Sequence, residues 1–311
     1  ELVAVGAPMN MQISVNSQEE EDSGSVFVYR CTHISCSFLK QLKPRIPQAY
    51  SHFGVSVTID GDGMVLVGAP GAQMDEEATG LVYTFACSHE KEDCIELATN
   101  PSPDGVAGDM FGNRISVEDG LLAVSARMAD GEMAEDTGAM YAFRCQFMRS
   151  CDLLGKYVGT DSTSGDNFGS SVSVRGGAMA IGAEGRAKND MTPGAGAVFI
   201  YECDDFACYE STLICPESTD QDGHFGARVV LQADRMIVAA NGMVSSGGIP
   251  LGRKLHEMTP SGEVYYYTSF AAARAVKSDP HVASLRNGET YDFEGVAGGK
   301  YMLLDAQLES Y

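Results

Sequence analysis

Residues 53–70 of this 311-residue chain read FGVSVTIDGDGMVLVGAP. From Phe53 to Ile59 apolar and polar residues alternate, as in a β-strand with one buried face. Met64 to Val67 is a short continuous apolar run, as expected of a strand that is buried on both faces. The Asp-Gly-Asp-Gly segment between the two runs predicts a tight turn. The stretch therefore predicts an antiparallel hairpin.

The same hairpin recurs at a nearly constant interval. Phe-Gly stands at residues 53, 111, 168 and 225, in steps of 58, 57 and 57 residues. An apolar run that ends in small residues follows each pair, and its later copies read LAVSA, MAIGA and MIVAA. A third element recurs as GSVFVYRC, GLVYTFAC, GAMYAFRC and GAVFIYEC, with a shorter last copy, GEVYYY. Such a period predicts a fold of stacked similar units, none of which buries its apolar face alone.

These units resemble FG-GAP repeats, the units of the integrin-α type of β-propeller. Gly6-Ala7-Pro8 and Gly68-Ala69-Pro70 match the second half of the family name, and the resemblance covers roughly residues 1 to 275. It implies an all-β fold, a β-propeller of four-stranded antiparallel blades with about five blade equivalents in this chain. We call the strands A (from Phe-Gly), B (to Gly-Ala-Pro), C (to the first Cys) and D (after the second Cys).

The unit boundaries predict how the chain is divided. Residues 1–279 are expected to form the propeller blades, and residues 280–311 a degenerate blade with closing strands or the start of a following β-domain. Because the sequence begins at a strand B, we expect a piece of a longer protein, for example a seven-bladed one. The alternative is a five-bladed ring in which the last segment supplies the missing strand A.

Eight of the nine Cys form short pairs at one phase of the repeat. Each pair brackets the C–D turn, where opposed residues of a hairpin lie within disulfide reach. We predict the disulfides Cys31–Cys36, Cys87–Cys94, Cys145–Cys151 and Cys203–Cys208. Zinc is the alternative, but no second Cys or His pair stands at finger-like spacing. Cys215 falls outside these pairs and is expected to be a buried strand-D thiol, or else a bridge to another chain or segment.

Disulfides and charge together bound the location and the partners. Disulfides that persist indicate an oxidising compartment, so the protein is expected to be extracellular, secreted or on a cell surface. The chain has 21 Lys and Arg against 43 Asp and Glu, a net charge of −22. Nucleic acid and anionic lipid are therefore not expected as partners, because both need clustered Lys or Arg. The sequence has no apolar run long enough to cross a bilayer, so no direct membrane insertion of this segment is expected.

The acidic residues concentrate in the predicted B–C loops, which share one face of a propeller with the D–A loops. Loops of variable length on a repeat fold are common binding sites. The longest loop, from Gly242 to Pro260, also carries basic residues. The candidate partner-binding residues are Glu19, Glu20, Glu21, Asp75, Glu76, Glu77, Arg253 and Lys254.

Calcium is the metal that the resemblance raises, because integrin-type repeats often carry an Asp-rich loop between strands A and B. The A–B turns here are about five residues too short for such a loop. Asp60 and Asp62 in the first turn, and Asp220 and Asp222 before Phe225, are therefore only weak calcium candidates, and no cofactor is expected. No His-Glu-x-x-His, Gly-x-Ser-x-Gly or phosphate-loop motif occurs, so no catalytic residue is assigned.

The leading interpretation is a non-enzymatic extracellular module for adhesion or assembly. It would present acidic, variable loops to protein partners or to neighbouring copies of the chain. A carbohydrate-binding propeller is the first alternative. Its repeated sites between blades would need matched aromatic and acidic residues in each repeat, whereas the mid-strand positions of the repeated aromatics favour core packing. Those residues are Tyr29, Tyr83, Tyr141, Phe199 and Tyr265. A propeller glycosidase or lyase is the second alternative and needs convergent carboxylates.

Overall fold

The computed structural model describes residues 1–13, 19–61, 63–74, 77–88, 93–131, 134–146, 150–187, 193–215, 223–232, 235–241, 262–267, 281–285, 290–291 and 301–302. In these segments the chain forms β-strands and no helix. Accordingly, no helix that could span a membrane occurs among them. The predicted fold class is confirmed, since the strands form successive antiparallel sheets of the kind that make propeller blades.

Five sheets, here called blades 1 to 5, follow one another along the chain. Blade 1 contains β1 (Leu2–Ala7), β4 (Ser25–Cys31) and β5 (Cys36–Leu42). Blade 2 contains β6 (Ser56–Ile59), β7 (Met64–Ala69), β8 (Leu81–Ser88) and β9 (Asp93–Pro101). Blade 3 contains β10 (Phe111–Glu118), β11 (Leu121–Ala126), β12 (Ala139–Gln146) and β13 (Ser150–Tyr157). Blade 4 contains β14 (Phe168–Arg175), β15 (Ala178–Ala183), β16 (Ala197–Cys203) and β17 (Cys208–Ile214). Blade 5 contains β18 (Phe225–Gln232), β19 (Arg235–Ala240), β20 (Gly262–Tyr267) and β21 (His281–Leu285).

Within each blade, consecutive strands pair with each other, in the order A-B-C-D in blades 2 to 5 and B-C-D in blade 1. Blade 5 extends past residue 279, because β21 is its fourth strand. Two short pairs lie outside the blades, β2 (Gln12–Ile13) with β3 (Glu19–Glu20), and β22 (Thr290–Tyr291) with β23 (Tyr301–Met302). Among the described strands none of blade 5 pairs with blade 1, so these strands form an open series of sheets.

The core lies between successive blades, with one apolar cluster at each of the four boundaries. The burial of strand B depends on whether its blade has a neighbouring blade on one side or on both. In blades 2, 3 and 4 all six residues of this strand are buried, as the continuous apolar runs predicted. In β1 and β19 burial alternates instead, and Val3 and Val5 are 41% and 50% exposed. The end blades have a neighbour on one side only in the described structure, so their strand B has one covered face.

The Phe of each Phe-Gly pair fills the blade boundary. All four, at positions 53, 111, 168 and 225, are at most 1% exposed. In blades 2 to 4 the ring packs edge-on against an aromatic residue of strand C, with centroid distances of 5.2 Å (Phe53–Tyr83), 5.3 Å (Phe111–Tyr141) and 5.1 Å (Phe168–Phe199). This is the preferred geometry of aromatic pairs. The repeated Phe is thus a core residue that joins strands A and C.

The repeated aromatics of strand C are core residues, as predicted for Tyr83, Tyr141 and Phe199. Tyr29 does not belong to this set. Counted from the first Cys of the hairpin, its equivalent in blade 2 is Phe85, and Phe27 takes the place of Tyr83. The side chain of Tyr265 lies outside the described residues.

The glycines of the two motif halves contact each other between blades. A Cβ on Gly68 would lie 1.9 Å from the carbonyl oxygen of Gly112 in the next blade. The same contact joins Gly6 to Gly54 and Gly182 to Gly226. A Cβ cannot approach a backbone oxygen so closely, so any other residue here would push the blades apart. Blade 3 departs from the pattern, since Ser125 stands where the other B strands have Gly or Ala.

Serine hydroxyls join the A strands of successive blades. Ser56 Oγ donates to the carbonyl of Gly112, and Ser171 Oγ donates to that of Gly226, both at 2.7 Å. Further along the strands, the N–H of Val174 donates to Ser116 Oγ, and that of Leu231 to Ser173 Oγ, both at 2.9 Å. These repeated bonds satisfy backbone groups that the sheets leave unpaired.

The four predicted disulfides are present, and each joins two directly opposed residues of a C–D hairpin. Their Cα atoms are 3.9–4.0 Å apart, because these hairpins bring opposed strands close together. The expectation that Cys215 is a buried strand-D thiol is wrong. Strand β17 ends at Ile214, and Cys215 is exposed just beyond it.

Candidate interaction face

The two ends of the blades differ in their connections. At one end, here called the disulfide face, lie the A–B turns and the C–D hairpins. The A–B turns are tight: Asp119 and Gly120 have φ of +47° and +74°, and Gly176 and Gly177 have +57° and +75°, as in two-residue hairpin loops with positive φ. At the other end, here called the loop face, lie the longer B–C and D–A connections. The long connections, which differ in length from repeat to repeat, therefore lie at the loop face.

The loop face carries the acidic residues that the sequence singled out. Glu19 and Glu20 form β3, and Glu21 and Glu77 are exposed. Asp130, Glu135 and Asp136 of the next B–C connection are exposed as well. Of the other candidates, Asp75, Glu76, Arg253 and Lys254 lie outside the described residues. The structure therefore places acids from three blades on one face.

One contact fastens two loops of this face together. The hydroxyl of Tyr50, in the connection between blades 1 and 2, donates to a carboxylate oxygen of Glu21 at 2.7 Å. The backbone N–H of Tyr50 also donates to the Glu21 carbonyl at 2.8 Å. The hydrogen bond to Glu21 raises the pKa of the Tyr50 hydroxyl, because deprotonation would place a second negative charge beside the carboxylate.

The carboxylates of the B–C connections and those of the disulfide face differ in whether they form ion pairs with Lys or Arg. On the disulfide face Lys40 pairs with Asp93 at 2.6 Å, Arg175 with Glu118 at 2.7 Å, and Arg144 with Asp205 at 3.6 Å. Within the described part of the chain, no exposed carboxylate of a B–C connection has a Lys or Arg partner. Among the residues that the structure describes, no Lys or Arg therefore neutralises the negative charge of these carboxylates.

The buried acids of the D–A connections accept hydrogen bonds from residues of the same loop. Asp109 accepts the N–H of Val106 at 2.9 Å, and burial raises the pKa of its carboxyl. Asp166 accepts the N–H and the hydroxyl of Thr163, at 3.0 and 2.9 Å, and is 3.3 Å from Arg186 Nη1. These bonds close a turn that leads into strand A, so both residues position the loop.

The weak calcium candidates are not gathered by the described structure. Asp60 begins the first A–B turn on the disulfide face, where its Oδ1 accepts the N–H of Gly61 at 2.9 Å. Asp62, Asp220 and Asp222 lie outside the described residues. In the rest of the structure no group of three or more His, Cys, Asp or Glu is arranged to hold a metal ion.

Sequence reasoning missed a group of basic residues, here called the arginine cluster: Arg114, Arg127 and Arg228. Arg114 and Arg228 each follow a Phe-Gly pair by two residues, in the stretches FGNR and FGAR. Ser56 and Ser171 occupy this position in blades 2 and 4. Arg127 directly follows β11. The signal in the sequence was the Phe-Gly-x-Arg pattern in two of four repeats.

The guanidinium groups of the arginine cluster act on one another across blades. Arg114 Nε donates to the carbonyl of Ser170 in blade 4 at 3.2 Å, and its Nη1 to the carbonyl of Asn113 at 3.0 Å. Burial lowers the pKa of Arg114 to about 10, with Arg228 and Arg127 adding to the decrease and the carboxylate of Glu184 opposing it. These charged groups therefore lie within electrostatic range of Arg114.

A comparison with known protein families finds the same repeated unit. The FG-GAP repeat model matches residues 46–85, 101–143 and 154–201. Each match begins in or just after strand D of one blade and ends in strand C of the next, in blades 2, 3 and 4. These segments of blades 2, 3 and 4 are therefore similar to FG-GAP repeats, which are typical of integrin-α-like propellers, as the resemblance implied.

No curated protein sequence matches the chain. Among solved structures it is similar to a chain of the "Crystal Structure of Mitotic Checkpoint Complex", with 14% sequence identity and a TM-score of 0.45. The similarity covers 81% of this chain and 57% of that one.

Proposed function

We propose that the protein is a non-enzymatic extracellular interaction module, an adhesion or assembly component that binds protein partners through the acidic loop face. The observation that carries this proposal is that, among the described residues, no exposed carboxylate of a B–C connection pairs with Lys or Arg, whereas Asp104 of a D–A connection pairs with Lys156. Exposed carboxylates without cationic partners repel one another, and a basic partner surface relieves that repulsion while it steers association. FG-GAP repeats are typical of propellers that act in protein interaction.

The scaffold suits this role. The loops of the face start from strands whose boundaries are filled by buried Phe rings and close glycine contacts. Loops held by a rigid sheet framework can differ in length and sequence without loss of the fold. The disulfides support the extracellular location, because hairpin disulfides persist only in an oxidising compartment.

The carbohydrate-binding alternative loses its main support. Stacking on a sugar ring needs an exposed aromatic face, whereas Tyr83, Tyr141 and Phe199 are at most 6% exposed. We therefore do not favour repeated glycan sites between the blades.

Two charge-matched variants test the proposal. The first changes Glu21, Glu77 and Glu135 of the loop face to Gln, and the control changes Asp60, Asp119 and Asp205, at the turns of the disulfide face, to Asn. Both remove three negative charges. Each protein is titrated, over a range of salt concentrations, against a panel of purified extracellular domains with basic surfaces. A glycan array provides a second arm.

We expect a panel member that binds the natural chain with affinity that falls as salt rises. Its binding should be weakened by the loop-face variant and not by the control. Equal weakening in both variants would show that net charge, and not the loop face, is responsible. Binding to the glycan array alone would replace the proposal with the carbohydrate alternative.

A further inference from the structure

The arginine cluster is a positively charged group in a strongly acidic protein. The protein as a whole carries a net charge of −22. Yet the guanidinium groups of Arg127 in blade 3 and Arg228 in blade 5 lie within electrostatic range of Arg114, as does the carboxylate of Glu184. Guanidinium groups that approach one another repel, and burial increases the cost. Around Arg114 the described structure thus brings together three positive charges and the one negative charge of Glu184.

The cluster also has hydrogen-bond donors to spare. A guanidinium group has five N–H donors in a fixed fork. Arg114 uses Nε and Nη1 on two backbone carbonyls, and Arg228 Nη1 donates to the carbonyl of Ala227 at 2.8 Å. The Nε of Arg127 is buried and has no hydrogen-bond partner. A buried donor without a hydrogen bond costs free energy, so we expect a bound acceptor to pair with this N–H.

The same arginine position and the same hydrogen bond occur in two repeats. Arg114 and Arg228 stand at equivalent places of two repeats, and each donates Nη1 to the carbonyl of the residue before it. Blade 4 lies between them and has the short Ser171 at this position. All three arginines are near the loop-face ends of strands A and B, where Phe-Gly begins strand A and Arg127 follows strand B. The cluster therefore lies at the strand-A side of the blades, close to the loop face.

We propose that the arginine cluster is a binding site for a small oxyanion, a sulfate, a phosphate or a carboxylate. Such a ligand supplies the negative charge and the several acceptor oxygens that the guanidinium groups need. This inference stands apart from the proposed function, because it concerns a different group of residues and a ligand of opposite charge.

Calorimetric titration tests the site with three probes, sodium sulfate, sodium phosphate and sodium glutarate, at constant ionic strength set with sodium chloride. The main variant is Arg228→Gln, because the hydrogen bond that Arg228 makes is to its own neighbour in the chain. The control is Arg175→Gln, which removes the same charge from an exposed side chain beside the A–B turn, on the opposite face. Thermal unfolding of each variant without added anion checks that it is folded.

We expect at least one probe to bind the natural chain, with affinity about tenfold weaker or more in Arg228→Gln and unchanged in Arg175→Gln. Preference for glutarate over sulfate would identify a carboxylate ligand, and the reverse a tetrahedral oxyanion. If Arg228→Gln does not fold, Arg228→Lys keeps the charge without the fork and should still weaken binding. No binding of any probe, or equal binding by both Gln variants, would overturn the site without affecting the proposed function of the loop face.

Discussion

Replacing Phe111 by Ala tests the role of the repeated Phe-Gly most directly. Phe111 is 1% exposed, and its ring packs edge-on against Tyr141 at 5.3 Å. It belongs to the apolar cluster that also contains Met64 and Leu66 of blade 2. Truncation of a buried Phe costs about 3–5 kcal/mol of unfolding free energy. Because domains are stable by about 5–15 kcal/mol, this is a large fraction of the total.

Equilibrium unfolding in urea, with the disulfides intact, measures this loss. The matched control is Phe206→Ala, since Phe206 is 85% exposed at the tip of a C–D hairpin. We expect the control to stay within about 0.5 kcal/mol of the natural chain. Hydrogen exchange adds a local readout, because loss of the ring should loosen the boundary between blades 2 and 3 before the others. If Phe111→Ala costs no more than Phe206→Ala, the repeated Phe is not the core residue that joins strands A and C.

Four further changes follow from the same structure. Gly68→Ala should cost about 2 kcal/mol or more in urea unfolding, because its Cβ would meet a backbone oxygen; Gly61→Ala, whose Cβ would have nothing within 4 Å, should cost far less, and equal costs would refute the contact. Replacing both Cys87 and Cys94 by Ser should lower the unfolding free energy by about 2 kcal/mol, measured against the natural chain without reductant; an unchanged value would mean that the bond does not form. Met110 has φ of +59°, in the left-handed region, which Asn adopts more readily than Met. Met110→Asn should therefore raise the unfolding free energy by about 0.5–1 kcal/mol and the melting temperature with it; a lower melting temperature would contradict the assigned backbone. Burial raises the pKa of Tyr83 to about 12, so the unfolded chain loses this proton first and stability should fall as the pH rises from about 10 to 12. Phe has no proton to lose, so between the two ends of this pH window Tyr83→Phe should lose about 2 kcal/mol less unfolding free energy than the natural chain, measured by urea unfolding. An identical fall in the two proteins would contradict the burial.

The sequence was sufficient for the parts of the fold that depend on local or repeated signals. The Phe-Gly period placed the A strands, and the spacing of Cys87 and Cys94 identified opposed residues of a hairpin, because a pair seven residues apart needs no knowledge of the rest of the fold. The continuous apolar run from Met64 correctly indicated a strand covered on both faces.

The remaining features depend on neighbours in space. The run MIVAA in blade 5 is as apolar as its equivalents, yet burial alternates in β19 because only one side of that blade is covered in the described structure. The exposure of Cys215 depends on where β17 ends, which the composition of the strand does not reveal. The proximity of Arg114 and Arg228 arises from blades more than a hundred residues apart in sequence, so neither residue was a candidate when taken alone.

The contact between Gly68 and Gly112 bears on how such a protein changes over evolution. It joins main chain to main chain, so it does not depend on which side chains the two adjoining units carry. Any unit that has both glycines can follow any other that has them. Duplication of a unit that has both glycines, such as blade 2 or blade 4, therefore leaves its junctions intact, and the number of units can change while the connections between strands diverge independently.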